Sequence, residues 1–267
     1  MSNGRLSALP CPLPAGPAAG SPVLLLIAHG SRDPRHAATV DALVGLVRRA
    51  RPSVEVATAY LDHCAPRIPQ VVDRLDGRAA VAVPLLLGRA FHAKSDIPAA
   101  LRATGADLPV ADVLGPSPLL LDALDRRLAE AGLDLGSAAV RRRTGVLLAS
   151  AGSSDPAANA ATRALAAEWQ RTRGWAAVGT AHASAVPPHV PDAIAALRAA
   201  PGVARVAVAP YLLAPGLLPD RITTAATAAG ADLVADTLGA APEIAALLLH
   251  RYEHARHAAP AARALSA

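Results

Sequence analysis

The chain has 267 residues, 52% of them apolar and only 2% aromatic, with a formal net charge of +5. That length and apolar share allow two compact units with real cores. The charge is almost all arginine, since Lys94 is the single lysine among 26 basic residues; without aromatic interleaving or a basic run beyond Arg141-Arg142-Arg143 it argues against nucleic acid and leaves a small anionic partner.

Residues 1–21, with Pro10, Pro12, Pro14 and Pro17, read as a disordered leader rather than a signal peptide. The apolar run from Val23 to Ala28 is too short to span a membrane and predicts a strand buried on both faces. It ends at His29, followed by Gly30-Ser31-Arg32-Asp33-Pro34. Gly30 permits a sharp turn, Ser31 or Asp33 can cap the next helix, and Pro34 suits its first turn. His29 therefore falls at the carboxyl end of a buried parallel strand, where open α/β sheets hold their ligands.

A helix is expected over 34–49, with Val40, Leu43, Val44 and Val47 on its apolar face. Next come a strand over 54–61, a helix from Pro66 to about 75, and a strand over 79–87 that runs into the loop from Gly88 to Lys94. Ser95 or Asp96 caps a helix to about 104, a short strand covers 109–114, and Ser117 opens a helix to about 131. Strands alternating with helices at this spacing mean βαβ units and a parallel sheet.

The pattern then repeats. The turn from Ala28 to Pro34 matches Ser150 to Pro156 at an offset of 122 residues (152 − 30), and Pro69 meets Pro191 at the same offset. Val83-Pro84-Leu85-Leu86-Leu87 returns as Ala209-Pro210-Tyr211-Leu212-Leu213, and Asp112 to Gly115 returns as Asp236 to Gly239. Convergent patterning would reproduce apolar runs but not the Gly-Ser-x-Asp-Pro turn, so the chain is an internal duplication. The division is a leader at 1–21, a first lobe at 22–135, a solvated connector at 136–143, a second lobe at 144–256 and a tail at 257–267. The fold class is α/β, two similar parallel-sheet lobes with a cleft between them.

The copies diverge where chemistry would lie. His29 faces Ala151, His92 faces Leu218 and Asp62 faces Ser184, so one site is expected, in the first lobe. With strand 1 between strands 2 and 3, His29, Asp62 and His92 meet at one sheet edge. Two imidazoles and a carboxylate can hold a divalent transition metal or move protons near neutral pH. Arg32, Arg35, Arg89 and Lys94 would make the mouth positive and suit an acidic substrate. His36 and His63 read as surface. His182 and His189 fall in the diverged copy, His250, His254 and His257 on a solvated helix face, and Trp169 and Trp175 in packing.

The His-Gly-Ser-Arg-Asp-Pro turn, Tyr60-Leu61-Asp62 and the stretch from Val83 to Pro98 resemble the sirohydrochlorin chelatase family, the ATP-independent, two-lobed class II chelatases of sirohaem and cobalamin synthesis. The resemblance covers roughly 23–256 and is motif-specific in the first lobe. It implies an enzyme, a lyase, that inserts Fe²⁺ or Co²⁺ into a reduced tetrapyrrole carrying carboxylates, with metal as substrate and no organic cofactor. Carried over by position, His29 and His92 are the metal-binding and proton-accepting pair. Asp62 joins them as a catalytic carboxylate where the family commonly has glutamate, and its shorter side chain can act through water. Gly30, Ser31, Arg32, Arg89 and Lys94 are the substrate-binding candidates. The loop Leu87-Gly88-Arg89-Ala90 departs from the family's Ala-Pro-Gly, which the second lobe keeps as Ala214-Pro215-Gly216.

Two rival readings fit the same residues. One is a phosphoryl-transfer enzyme with His29 as nucleophile and the Gly30-Ser31 turn as phosphate cradle; the arginine that precedes the histidine in histidine phosphatases is alanine here, Ala28. The other is a non-catalytic carrier of metal or tetrapyrrole. Cys11 and Cys64 form neither a metal-spaced pair nor a disulfide framework, which fits a cytoplasmic protein. No membrane partner is expected, and either a monomer or a homodimer fits a duplicated chain.

Overall fold

Six consecutive buried residues, Val23–Ala28, form β1, and burial on both faces explains why the run is continuously apolar rather than alternating. The computed structural model describes residues 20–88, 96–184 and 186–264. In it β1 is the middle of a parallel sheet with β2 (Val56–Tyr60) on one side and β3 (Ala80–Pro84) on the other. The second sheet repeats this: β4 (Thr144–Ser150) lies between β5 (Ala177–His182) and β6 (Arg205–Pro210), with β7 (Leu233–Val234) added at the edge.

The crossover helices fall where the capping signals put them. Asp33 accepts a hydrogen bond from the Arg35 backbone N–H at the start of α1 (Pro34–Ala50), and Asp155 does the same for Ala157 at the start of α6 (Pro156–Arg173). The remaining helices are α2 (Ile68–Leu75), α3 (Ile97–Arg102), α4 (Pro118–Glu130), α5 (Ala138–Arg141), α7 (Val190–Ala199), α8 (Leu217–Ala228) and α9 (Pro242–Ala264). Among the described residues no helix is long and apolar enough to cross a membrane.

Two expectations need correction. The strand expected over 109–114 is reduced to a bridge between Ala82 and Val110. Pro109 has no N–H to extend the ladder, and the chain touches the sheet again only where the N–H groups of Leu114 and Gly115 reach the carbonyls of Leu86 and Leu87. Helix α2 starts at Ile68, not at Pro66, because the Arg67 N–H is taken by the Gln70 side chain in a capping arrangement. The stretch 136–143 carries α5, none of whose residues is buried, opened by the Ser137 side chain, and the Arg141 carbonyl accepts from Ala176 next to β5.

The two sequence halves exchange their last helices. Helix α9, from the second half, packs on α1 and β3 of the first sheet, while α4, from the first half, packs on β6 and α9. The exchange is reciprocal in its hydrogen bonds. Arg127 on α4 donates to the Leu238 carbonyl at 2.8 Å, and Arg251 on α9 donates to the Leu114 carbonyl at 2.8 Å. One core runs through both lobes, from Leu24 and Val83 through Leu124, Leu248 and Tyr252 to Val146 and Ala209.

Candidate active site

The ladder between β1 and β2 continues past both strands. Leu61 N–H donates to the Ala28 carbonyl at 2.9 Å, and Asp62 N–H donates to the His29 carbonyl at 2.8 Å. This fixes His29 beside the Asp62-His63 corner. Gly30 follows at φ 91°, and a Cβ there would fall 1.8 Å from the Asp62 carbonyl oxygen, so only glycine fits. The turn is then tied by Cys64. Its sulfur accepts the Ser31 N–H at 3.5 Å, and its S–H donates to the Ser31 carbonyl at 3.0 Å.

In the second lobe the scaffold persists and the ionisable groups do not. Ser184 N–H donates to the Ala151 carbonyl at 3.1 Å, and Gly152 keeps φ 83°. The Asn159 side-chain amide satisfies the Ser153 N–H and carbonyl as Cys64 satisfies those of Ser31. His182 takes the strand-end position of Tyr60 and is buried, its Nδ1 2.9 Å from the Ser150 hydroxyl. Burial holds it neutral, pushing its pKa below the ordinary histidine value.

Between the lobes lies a cleft of about 730 Å³, toward the upper end of the usual range for small-molecule sites. His29, Gly30 and Ser31 line it from the first lobe and Gly152 and Ser153 from the second. Its walls are largely apolar, with Leu43, Leu85 and Leu87 facing Leu165, Leu213 and Leu217. Such walls fit the faces of a large flat ring, leaving charged periphery to the mouth.

The sequence-derived candidates divide in three. His29, Gly30 and Ser31 come together in the cleft. Arg32 lies exposed on the same turn. Asp62 is close in the chain but its side chain is 53% exposed and does not line the cleft; it pairs with Arg67 at 3.1 Å. The His63 backbone N–H, then the Arg67 guanidinium, hold the Asp62 carboxyl below its ordinary pKa. His92, Arg89 and Lys94 lie outside the described residues.

Arg35 does not act as a free positive charge at the mouth. Its guanidinium bonds both Asp33 and Asp220 at 2.6 Å, bridging α1 to α8 of the other lobe. Two carboxylates offset its charge, which corrects its expected role in attracting an acidic substrate. The described cleft-lining residues include no arginine or lysine.

His36, expected on the surface, instead lines the cleft and sits 6.3 Å from the Tyr60 ring. The signal was present. Position 36 precedes Val40, Leu43, Val44 and Val47 by helical spacing and shares their buried face. Burial, with nearby His29 adding to it, pushes the His36 pKa below its ordinary value, so this imidazole is neutral at pH 7. His63 is also nearer than expected, its ring 6.4 Å from that of His29, centroid to centroid. His250, His254 and His257 do lie exposed on α9, and Trp169 and Trp175 are buried and packed edge to face.

Comparison with known proteins gives a consistent picture. The CbiX family model matches the chain twice, at residues 23–131 and 145–255. A sirohydrochlorin ferrochelatase of Priestia megaterium is 29% identical over 210 residues, covering 74% of this chain and 76% of that protein. A sirohydrochlorin cobaltochelatase of Methanococcoides burtonii is 25% identical over 123 residues, 40% of this chain but 94% of its own length. In fold, the chain resembles SirB from Bacillus subtilis, solved with Fe³⁺, with a TM-score of 0.75 and 23% identity over 88% of this chain and 96% of that one.

Proposed function

The chain belongs to the CbiX family of sirohydrochlorin chelatases, and from that premise we propose that His29 is its metal-handling residue. The protein is an enzyme, a lyase that inserts a divalent metal, Fe²⁺ or Co²⁺, into sirohydrochlorin; the ion is a substrate. The observation that carries the residue assignment is the asymmetry between the lobes. Equivalent turns face one cleft, and only the first presents an imidazole, His29 where the second has Ala151.

Metallation replaces two pyrrole N–H protons with one divalent ion, so the ring gives up two protons and the ion sheds water as the four ring nitrogens take it. A histidine on one face of the ring can accept a proton and can hold a partly hydrated ion weakly. His29 and His92 form that pair, the second by its position in the sequence. Neutral His36, on the wall, keeps the site free of one positive charge that would repel the ion. The apolar leucines hold the macrocycle, and Gly30 and Ser31 let it approach the backbone. Arg32, Arg89 and Lys94 meet the substrate carboxylates at the rim. Residues 22–135 carry the chemistry, and residues 144–256 form the opposite wall. A single chain has the whole site, so a monomer or homodimer in the cytoplasm serves, with no nucleic-acid or membrane partner.

Anaerobic mixing of the protein with sirohydrochlorin and Co²⁺ or Fe²⁺, followed by absorbance, tests this. Repeated turnover is expected, and His29→Ala and His92→Ala should each lower it by roughly 10²-fold or more. A stoichiometric spectral change without turnover would identify a carrier, and wild-type turnover in His29→Ala would remove the assignment.

A further inference from the structure

We propose that His63 is a metal-loading ligand of this site, collecting the divalent ion on the solvent side of His29 and delivering it to the cleft. The proposal rests on reading His29 as the metal-handling residue. The two rings stand edge to face, 6.4 Å apart between centroids. A metal–nitrogen bond of about 2.1 Å, plus roughly 1.2 Å from each nitrogen to its ring centre, lets two imidazoles share an ion at centroid separations of about 5–6.5 Å. The observed 6.4 Å lies at the upper end of that range.

The second observation is what holds His63. Asp62 accepts the His63 backbone N–H at 2.8 Å on Oδ1, and its Oδ2 lies 3.4 Å from His63 Nε2. Metal-ligating histidines commonly give their second ring N–H to a carboxylate, which fixes tautomer and orientation. Asp62 lies on that outer side as an ion-pair contact to Nε2, which leaves Nδ1 of His63 as the ligating nitrogen. The short carboxylate thus works through His63 instead of binding the ion itself. Arg67, 3.1 Å from Asp62 Oδ1, holds the carboxylate from the other side.

The third observation is backbone conformation. His63 adopts φ 62°, the left-handed region that non-glycine residues rarely enter. It is forced there because Asp62 is bonded to His29 and Cys64 to Ser31 on either side of it. His63 does not line the cleft and its side chain is 35% exposed, whereas His29 lines the cleft. The rings therefore lead from water to the cavity, and ion loading need not compete with the macrocycle. Among the described residues no group of three or more His, Cys, Asp or Glu is placed to hold a metal ion, so the loading site is the His29–His63 pair alone. The second lobe has alanine at both equivalent positions, Ala151 and Ala185.

Titration of Co²⁺ into the full chain without tetrapyrrole, read by visible absorbance and calorimetry, tests this. His63→Asn removes the imidazole with a residue that tolerates the left-handed backbone, and Kd should rise about tenfold or more. In turnover, KM for Co²⁺ should rise by a larger factor than kcat falls. His63→Asp, which returns a ligating group, should recover most of the affinity. Asp62→Asn should weaken Co²⁺ binding in the wild-type background and not in His63→Asn. Unchanged Kd and KM in His63→Asn overturn the proposal. If His29→Ala abolishes turnover while His63→Asn is neutral, only this inference fails; if His29→Ala turns over normally, the underlying assignment fails.

Discussion

Gly30 shows how one backbone position fixes the site. Its φ of 91° and the 1.8 Å that would separate a Cβ from the Asp62 carbonyl mean that any side chain must break the turn under His29. Gly30→Ala should therefore cost about 2–4 kcal/mol, in the range of strained-backbone substitutions, together with most of the activity. Gly152→Ala meets the Ser184 carbonyl at 2.4 Å and should also destabilise, while leaving more of the activity because the residue that this turn presents to the cleft is Ala151 and not a histidine. Urea denaturation and turnover on both variants check this; equal activity losses would mean that the second turn matters as much as the first. The glycine and its turn were legible in the sequence. The neighbours of His29 were only partly so. His63 looked like surface because chain position says nothing about which rings a turn brings together, whereas His36 carried a signal in its helical spacing with Val40 and Leu43.

Helix α4 illustrates how elements are held across the lobes. Asp125 accepts from the Trp169 indole N–H at 2.8 Å and from Arg173 Nε at 2.6 Å, both on α6 of the second half. Desolvation of this half-buried carboxylate opposes its pairing and raises its pKa above the ordinary value. Asp125→Ala leaves the indole and the guanidinium without this acceptor and should cost about 2–4 kcal/mol. Asp125→Asn keeps an acceptor for Trp169 and should cost less. Denaturant midpoints decide between them, and equal stability of Asp125→Ala and wild type would show that the contact contributes nothing. The Arg35–Asp220 bridge, by contrast, is about half exposed on both sides, and such pairs contribute at most about 1 kcal/mol.

Across the molecule, exchange of α4 and α9 makes the halves mutually dependent. Without α9, the first sheet loses the helix that covers α1 and β3, along with the bond from the Tyr252 hydroxyl to the Pro22 carbonyl at 2.6 Å. A fragment ending at residue 135 should thus fail to fold as a monomer, remaining unfolded or self-associating to cover the exposed core. Circular dichroism with sedimentation measures this, and a folded monomeric fragment would show that the shared core is dispensable. The cleft depends on the same arrangement, since neither lobe encloses it alone.

By itself the sequence determined the three strands of the first sheet, the crossover helices, the duplication and the lobe that kept His29. These follow from local signals: apolar runs, Asp and Ser caps, and a Gly-Ser-x-Asp-Pro turn that occurs twice. Only the tertiary structure decided that the last helices change places, that Arg35 is offset by Asp33 and Asp220, and that His36 joins His29 in lining the cleft while the His63 ring stands 6.4 Å from that of His29. Periodicity records which face of an element is buried. Which residues meet across that burial depends on packing between segments far apart in the chain, and no local pattern encodes it.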